Sequence, residues 1–144
     1  MEKKTIIMNA ENSIVGRLAS FAAKNALEGN QVVIINAEKA ILTGSKQSAL
    51  SRMKRKLDLR GKGNPRKGPK FSRMPDRVLR RAVRGMLPFT SRRGREALRR
   101  VMVFISVPAE FQGKELTKLP GAKVEKRKKY VELGEVCRLL GARW

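Results

Sequence analysis

The chain has 144 residues, none of them histidine and only one, Cys137, a cysteine. Without a second thiol there is no internal disulfide, and without imidazole there is neither a Cys/His zinc cluster nor a side chain that ordinarily titrates near neutral pH. That cysteine usage fits a reducing compartment. Long apolar runs are also missing. After Glu2, Lys3 and Lys4 only Thr5 to Met8 lean apolar before polar residues return, too short for a secretory apolar region or a membrane span. A soluble, intracellular protein is expected, with no membrane partner. Nucleotide-cofactor loops are absent as well: there is no Gly-x-Gly-x-x-Gly, and Gly44-Ser45-Lys46 lacks the earlier glycine of a P-loop because position 39 is lysine. Carboxylates at helical spacing, such as Glu132 and Glu135, stand among cations, which suits an ionised side chain and not a general acid. No cofactor, metal, small-molecule substrate or catalytic residue is therefore expected.

What the chain has instead is positive charge. Lys and Arg number 34 against 12 acids, a formal net charge of +22. Nineteen of those cations fall between Arg52 and Arg100, opposed there by Asp58, Asp76 and Glu96 alone, so this third of the chain holds +16. Self-repulsion at that density opposes compaction, and a polyanion relieves it by releasing counterions as its phosphates are neutralised. The 41% hydrophobic content still supplies a core, and the length favours one domain spanning residues 1–144.

Two runs of adjacent apolar residues, Ile6-Ile7-Met8 with Thr5 and Val32-Val33-Ile34-Ile35, do not alternate, as befits strands covered on both faces of a parallel sheet. Between them, Asn12 or Ser13 can cap a helix carrying Ile14, Leu18, Phe21, Ala22 and Ala26 inward and ending at Glu28 before Gly29. This makes a βαβ unit. Val101 to Val107, stopped by Pro108, is the longest strand candidate and is expected in the same sheet. A short Ile41-Leu42 piece and a helix from about Lys46 to Leu57 come earlier. From Asp58 to Pro75, glycines and prolines alternate with Arg60, Lys62, Arg66, Lys67, Lys70 and Arg73, leaving no periodic apolar face. This basic extension is expected to order against its partner. From Gln112 the tail is polar and basic, with a final amphipathic helix around Leu133 to Leu140 that takes Cys137 inward with Leu133, Val136 and Leu140.

Pro75 suits the first position of a helix and Asp76 its positive end, so a helix is predicted from Pro75 to about Met86. At 100° per residue Val78, Leu79, Ala82, Val83 and Met86 share one arc, and Arg77, Arg80, Arg81 and Arg84 the opposite one. An arginine face on an average helix is simply solvated. Here the stripe continues through Arg92, Arg93, Arg95, Arg99 and Arg100, about a short helix capped by Thr90 or Ser91, and is preceded by the basic extension; the number of cations favours a phosphate-binding surface. Guanidinium forks bind phosphate oxygens bidentately and stack on bases.

The run Val83-Arg84-Gly85-Met86-Leu87-Pro88, followed by Arg93-Gly94, Ala97-Leu98 and the strand from Val101, resembles the signature of the large-subunit ribosomal protein thirteen family. Asn9-Ala10, Gly16-Arg17-Leu18-Ala19-Ser20, Ile35-Asn36-Ala37-Glu38 and Leu42-Thr43-Gly44 are similar to blocks of that family's N-terminal half, in the same order. The resemblance covers roughly Ile6 to Phe111, and the stretch Gly68-Pro69 to Arg73-Met74-Pro75 is most similar to the archaeal and eukaryotic branch. It implies a three-layer α/β/α fold with a small, mostly parallel sheet of about four strands. It also implies a non-enzymatic, cytoplasmic role: binding large-subunit ribosomal RNA, supporting subunit assembly and meeting neighbouring large-subunit proteins. By position it implies RNA contacts at Lys46, Arg84 and Arg93 to Arg95. Where the family carries His and Tyr before its Arg-x-Pro segment this chain has Lys70 and Phe71, so no base-stacking role is carried over to them.

Residues and resemblance together give one expected RNA surface. To the cations already named in the extension and the two helices it adds Arg52, Lys54 and Arg55 of the preceding helix and the run Lys126, Arg127, Lys128 and Lys129. That run also reads as a nuclear-localisation patch or a solvated segment. Phe71, Phe89, Phe111 and Tyr130 are the aromatics available for stacking, although Phe89 also suits an anchor for the loop after Pro88. An RNA-modifying enzyme and a general nucleic-acid packaging protein are the alternatives; the first lacks the chemistry and the second rests on charge alone.

Overall fold

The apolar runs form strands β1 (Thr5–Asn9) and β2 (Gln31–Ile35), paired in parallel with Ile6 opposite Val32 and Met8 opposite Ile34. These and the elements below are those of a computed structural model in which residues 4–59, 61–117, 119, 121–123 and 129–144 are described. Strand β4 (Val101–Val103) pairs in parallel on the other edge of β2, giving the order β1-β2-β4. Successive strand side chains point to opposite faces. Val32 and Ile34 accordingly join Met8 and Val101 in the large core, while Val33 and Ile35 join Ile7 in a smaller one. Burial on both faces is why β2 reads as unbroken apolar sequence.

Helix α1 (Val15–Leu27) covers the large-core side, burying Leu18, Ala19, Ala22, Ala23 and Ala26. Neither expected residue caps it. Asn12 is left-handed, with φ 57°, and Ser13 bridges to Lys123, so Ile14 stands at the cap without a side-chain hydrogen bond. Gly29 follows the helix with φ 98°, as expected of a glycine there.

Strand β4 is shorter than the sequence suggests. The Phe104 amide still donates to Ile34 O at 2.8 Å, but Ser106 turns left-handed, with φ 59°, and its amide donates to Glu38 Oε2 at 3.0 Å. The chain therefore leaves the sheet before Pro108 and folds Phe104, Val107 and Phe111 over Val33 and Ile35. That segment, with a 3-10 turn at Ala109–Phe111, covers the second face.

Ile41-Leu42 does not enter the main sheet. Strand β3 (Ile41–Thr43) pairs antiparallel with β5 (Tyr130–Glu132), and this ribbon packs against helices α2 (Lys46–Asp58) and α5 (Leu133–Leu139) through Ala49, Val131 and Val136. Helix α3 (Pro75–Met86) lies on α1 and reaches β4, and α4 (Arg92–Arg99) follows it. The class is α/β with a small, mostly parallel sheet, the three-stranded main sheet being the parallel part.

Cys137 is fully buried, and burial followed by the nearby charge of Asp76 pushes its thiol up to about 12 from an ordinary 9.0. The folded state holds that proton where the unfolded chain would release it, so this contribution is complete below pH 9.0 and is lost as pH rises toward about 12. Urea midpoints should accordingly fall above pH 9.0, and the fall should be shallower in Cys137→Ala. Iodoacetamide at pH 8 should label the thiol only in denaturant; labelling of the folded chain would contradict this placement.

Candidate nucleic-acid interface

Helix α3 divides as its sequence predicts, with one correction. Leu79 and Val83 are fully buried, and Arg77, Arg80, Arg81 and Arg84 are exposed. Met86, expected in the core, is 45% exposed, because the helix ends there and Leu87, at 6%, takes the inward position. Pro75 begins the helix and Asp76 sits in its first turn.

The arginines are of two kinds. Some hold the protein together. Arg80 Nη2 donates to Leu98 O at 3.3 Å, joining α3 to α4; Arg81 Nη1 donates to Lys70 O at 2.9 Å while its guanidinium lies 4.2 Å from the centre of the Phe71 ring. Arg84 stacks at 3.9 Å over Phe89 and fixes the loop after Pro88, and Arg100 Nη1 donates to Ala26 O at 3.3 Å. The others face outward. Arg77, Arg93, Arg95 and Arg99 are exposed, and among the described residues their guanidiniums make no hydrogen bond, ion pair or aromatic contact. Arg92 is between these kinds: its Nε donates to Glu96 Oε1 at 2.9 Å, and this bond first, then the surrounding arginine charges, holds the Glu96 carboxyl below its usual range.

Helix α4 is seated by Ser91, whose Oγ accepts from the Gly94 amide at 3.2 Å; Ser91, not Thr90, is the cap. Gly94 lies so close to the preceding loop that a Cβ there would come 2.1 Å from Pro88 O. The contact tucks Gly94 and Ala97 inward and turns Arg92, Arg95 and Arg99 out together, with Arg93 at their flank.

The extension joins this surface through Arg81. Within it, Lys67 N donates to Asn64 O at 3.1 Å and Arg66 N to Asn64 Oδ1 at 3.2 Å, closing a turn in which Gly61 approaches Gly68. Lys62, Arg66, Lys67, Lys70 and Arg73 are exposed along it, as are Arg52, Lys54 and Arg55 on α2. Lys46 stands apart: it is ion-paired with Glu135 beside Glu38, Glu132 and Trp144, a setting unlike the phosphate contact expected of it. Lys129 is exposed just before β5, and its carbonyl accepts from the Gly44 amide. Arg60, Lys126, Arg127 and Lys128 lie outside the described residues. The residues thus brought together are those of α3, α4 and the extension.

The family described as Ribosomal protein L13 matches residues 3–110, which hold the parallel sheet and the arginine helices. The chain belongs to the ribosomal protein L13 family. It is 49% identical over 140 residues to the large ribosomal subunit protein uL13 of Archaeoglobus fulgidus, covering 95% of this chain and 88% of that one. It is 40% identical to the uL13 proteins of Methanosphaera stadtmanae, over 96% of this chain and 98% of the other, and of Methanococcus maripaludis, over 96% and 99%. Family membership makes the chain a ribosomal protein and not an enzyme. The pairwise similarity extends past the family match at residue 110 into the tail that carries β5 and α5. Among the described residues no helix is long and apolar enough to cross a membrane.

Proposed function

We propose that this protein is a structural constituent of the large subunit of the cytoplasmic ribosome, where it binds large-subunit ribosomal RNA, supports its folding during assembly and meets neighbouring large-subunit proteins. One observation carries the reading: α3, α4 and the extension present exposed cations on linked elements, and the acid nearest them on α4, Glu96, already has a partner. Such a surface gains affinity from counterion release. Selectivity comes from shape, because A-form RNA hides its base edges in a deep groove and offers phosphates and 2′-hydroxyls. The family relationship supports RNA over duplex DNA as the polyanion, since the relatives bear the names of large-subunit proteins.

Two measurements test it. The native protein should co-sediment with large subunits and stay there through a high-salt wash, and folded large-subunit RNA should outcompete duplex DNA at physiological salt. Equal affinity for both would favour a packaging role instead, and newly modified nucleosides in RNA incubated with the protein would overturn the structural role.

A further inference from the structure

Beside the arginine surface lies a groove lined by Leu57, Pro65, Pro69, Lys70, Phe71 and Arg73. Its construction follows from the local sequence. The Asn64 turn and the close approach of Gly61 to Gly68 fold the extension back so that Pro65 and Pro69 face the end of α2, where Leu57 is half-buried. One guanidinium then fixes the far wall: Arg81 holds the Lys70 carbonyl at 2.9 Å and lies against one face of Phe71 at 4.2 Å. The ring is therefore preset by a side chain on a rigid helix, although it belongs to a segment rich in glycine and proline.

We propose that this groove receives an unpaired nucleobase of the RNA, stacked against Phe71 and the proline rings, with Lys70 and Arg73 engaging its flanking phosphates. The composition argues for this ligand. The lining is apolar and flat-sided where a base would lie and cationic at Lys70 and Arg73, and among the described residues no carboxylate lines it. Aromatic stacking between backbone-binding cations is the usual means of holding single-stranded nucleotides. A regular duplex keeps its bases stacked internally and leaves such a groove empty. The inference rests on the RNA-binding reading and goes further, assigning to the bound RNA a bulged or looped nucleotide.

The full-length protein is titrated, at one salt concentration, into a 20-base-pair RNA hairpin carrying a single bulged 2-aminopurine and into the same hairpin fully paired. The bulged probe should bind about 10-fold more tightly, with its fluorescence quenched by stacking. Phe71→Leu leaves the Arg81 hydrogen bond to the Lys70 carbonyl in place but removes the π face, and should abolish both the preference and the quenching, bringing the bulged hairpin down to the affinity of the paired one. Phe71→Trp should restore them. Equal binding of both hairpins by the unaltered protein, or a preference that survives Phe71→Leu, overturns the nucleobase site while leaving RNA binding intact. Failure to bind either hairpin removes the RNA reading and this site with it.

Discussion

Replacing Arg77, Arg93, Arg95 and Arg99 together with alanine is expected to weaken binding to large-subunit ribosomal RNA by about 100- to 1000-fold at physiological salt. The salt slope of log K should fall in magnitude by about 3, since each phosphate contact contributes about 0.7 to 0.9 to it. These four are chosen because their guanidiniums have no partner among the described residues, so truncating them removes charge without removing a contact that supports the fold. The far-UV spectrum and thermal midpoint should stay close to those of the unaltered chain, because surface substitutions away from structural contacts are worth little. The same measurement on Arg80, Arg81 and Arg84 should give a different pattern: a lower midpoint along with weaker binding, because those side chains hold Leu98, Lys70 with Phe71, and Phe89. An unchanged salt slope in the first variant would remove α3 and α4 from the interface.

That division marks where the sequence stops being informative. The amphipathic split of α3 is legible because 3.6-residue periodicity assigns each arginine to a face, and Pro75 with Asp76 marks the start. The parallel pairing of β1 and β2 is legible because a strand buried on both sides cannot alternate. Which outward arginine bonds a carbonyl and which faces solvent is set by elements far off in sequence: Arg80 and Leu98, Arg100 and Ala26. Lys46 follows the same rule, its partner Glu135 being 89 residues away. Backbone events are equally hidden. Val101 to Val107 has the composition of one long strand, yet Ser106 turns left-handed because Glu38 accepts its amide, and the apolar residues past the turn serve the opposite face of the sheet. The short piece at Ile41 leaves the sheet because β5, close to ninety residues further on, is there to pair with it.

Gly94→Ala is expected to destabilise the protein by about 1 to 2 kcal/mol, the cost of forcing extra volume into a closed contact less the gain from better helix propensity. The added methyl would stand 2.1 Å from Pro88 O, 2.4 Å from Pro88 C and 3.0 Å from Phe89 N. All three are backbone atoms, so no side chain can rotate away and the loop itself has to retreat from α4. Helix propensity gives alanine about 1 kcal/mol over glycine, too little to offset such an overlap. Gly85→Ala is the control: in α3, with nothing within 4 Å of its added Cβ, it should stabilise by up to about 1 kcal/mol. The two substitutions make the same chemical change and should move the urea midpoint in opposite directions. RNA binding should separate them as well. Retreat of the Pro88 loop carries Phe89 away from Arg84 and tilts the helix that aims Arg93, Arg95 and Arg99, so Gly94→Ala should lose affinity with every cation still present, whereas Gly85→Ala should keep it. A Gly94→Ala protein as stable as its parent would mean that α4 does not rest on Pro88, leaving the Ser91 cap and the Arg80–Leu98 bond to orient its arginines.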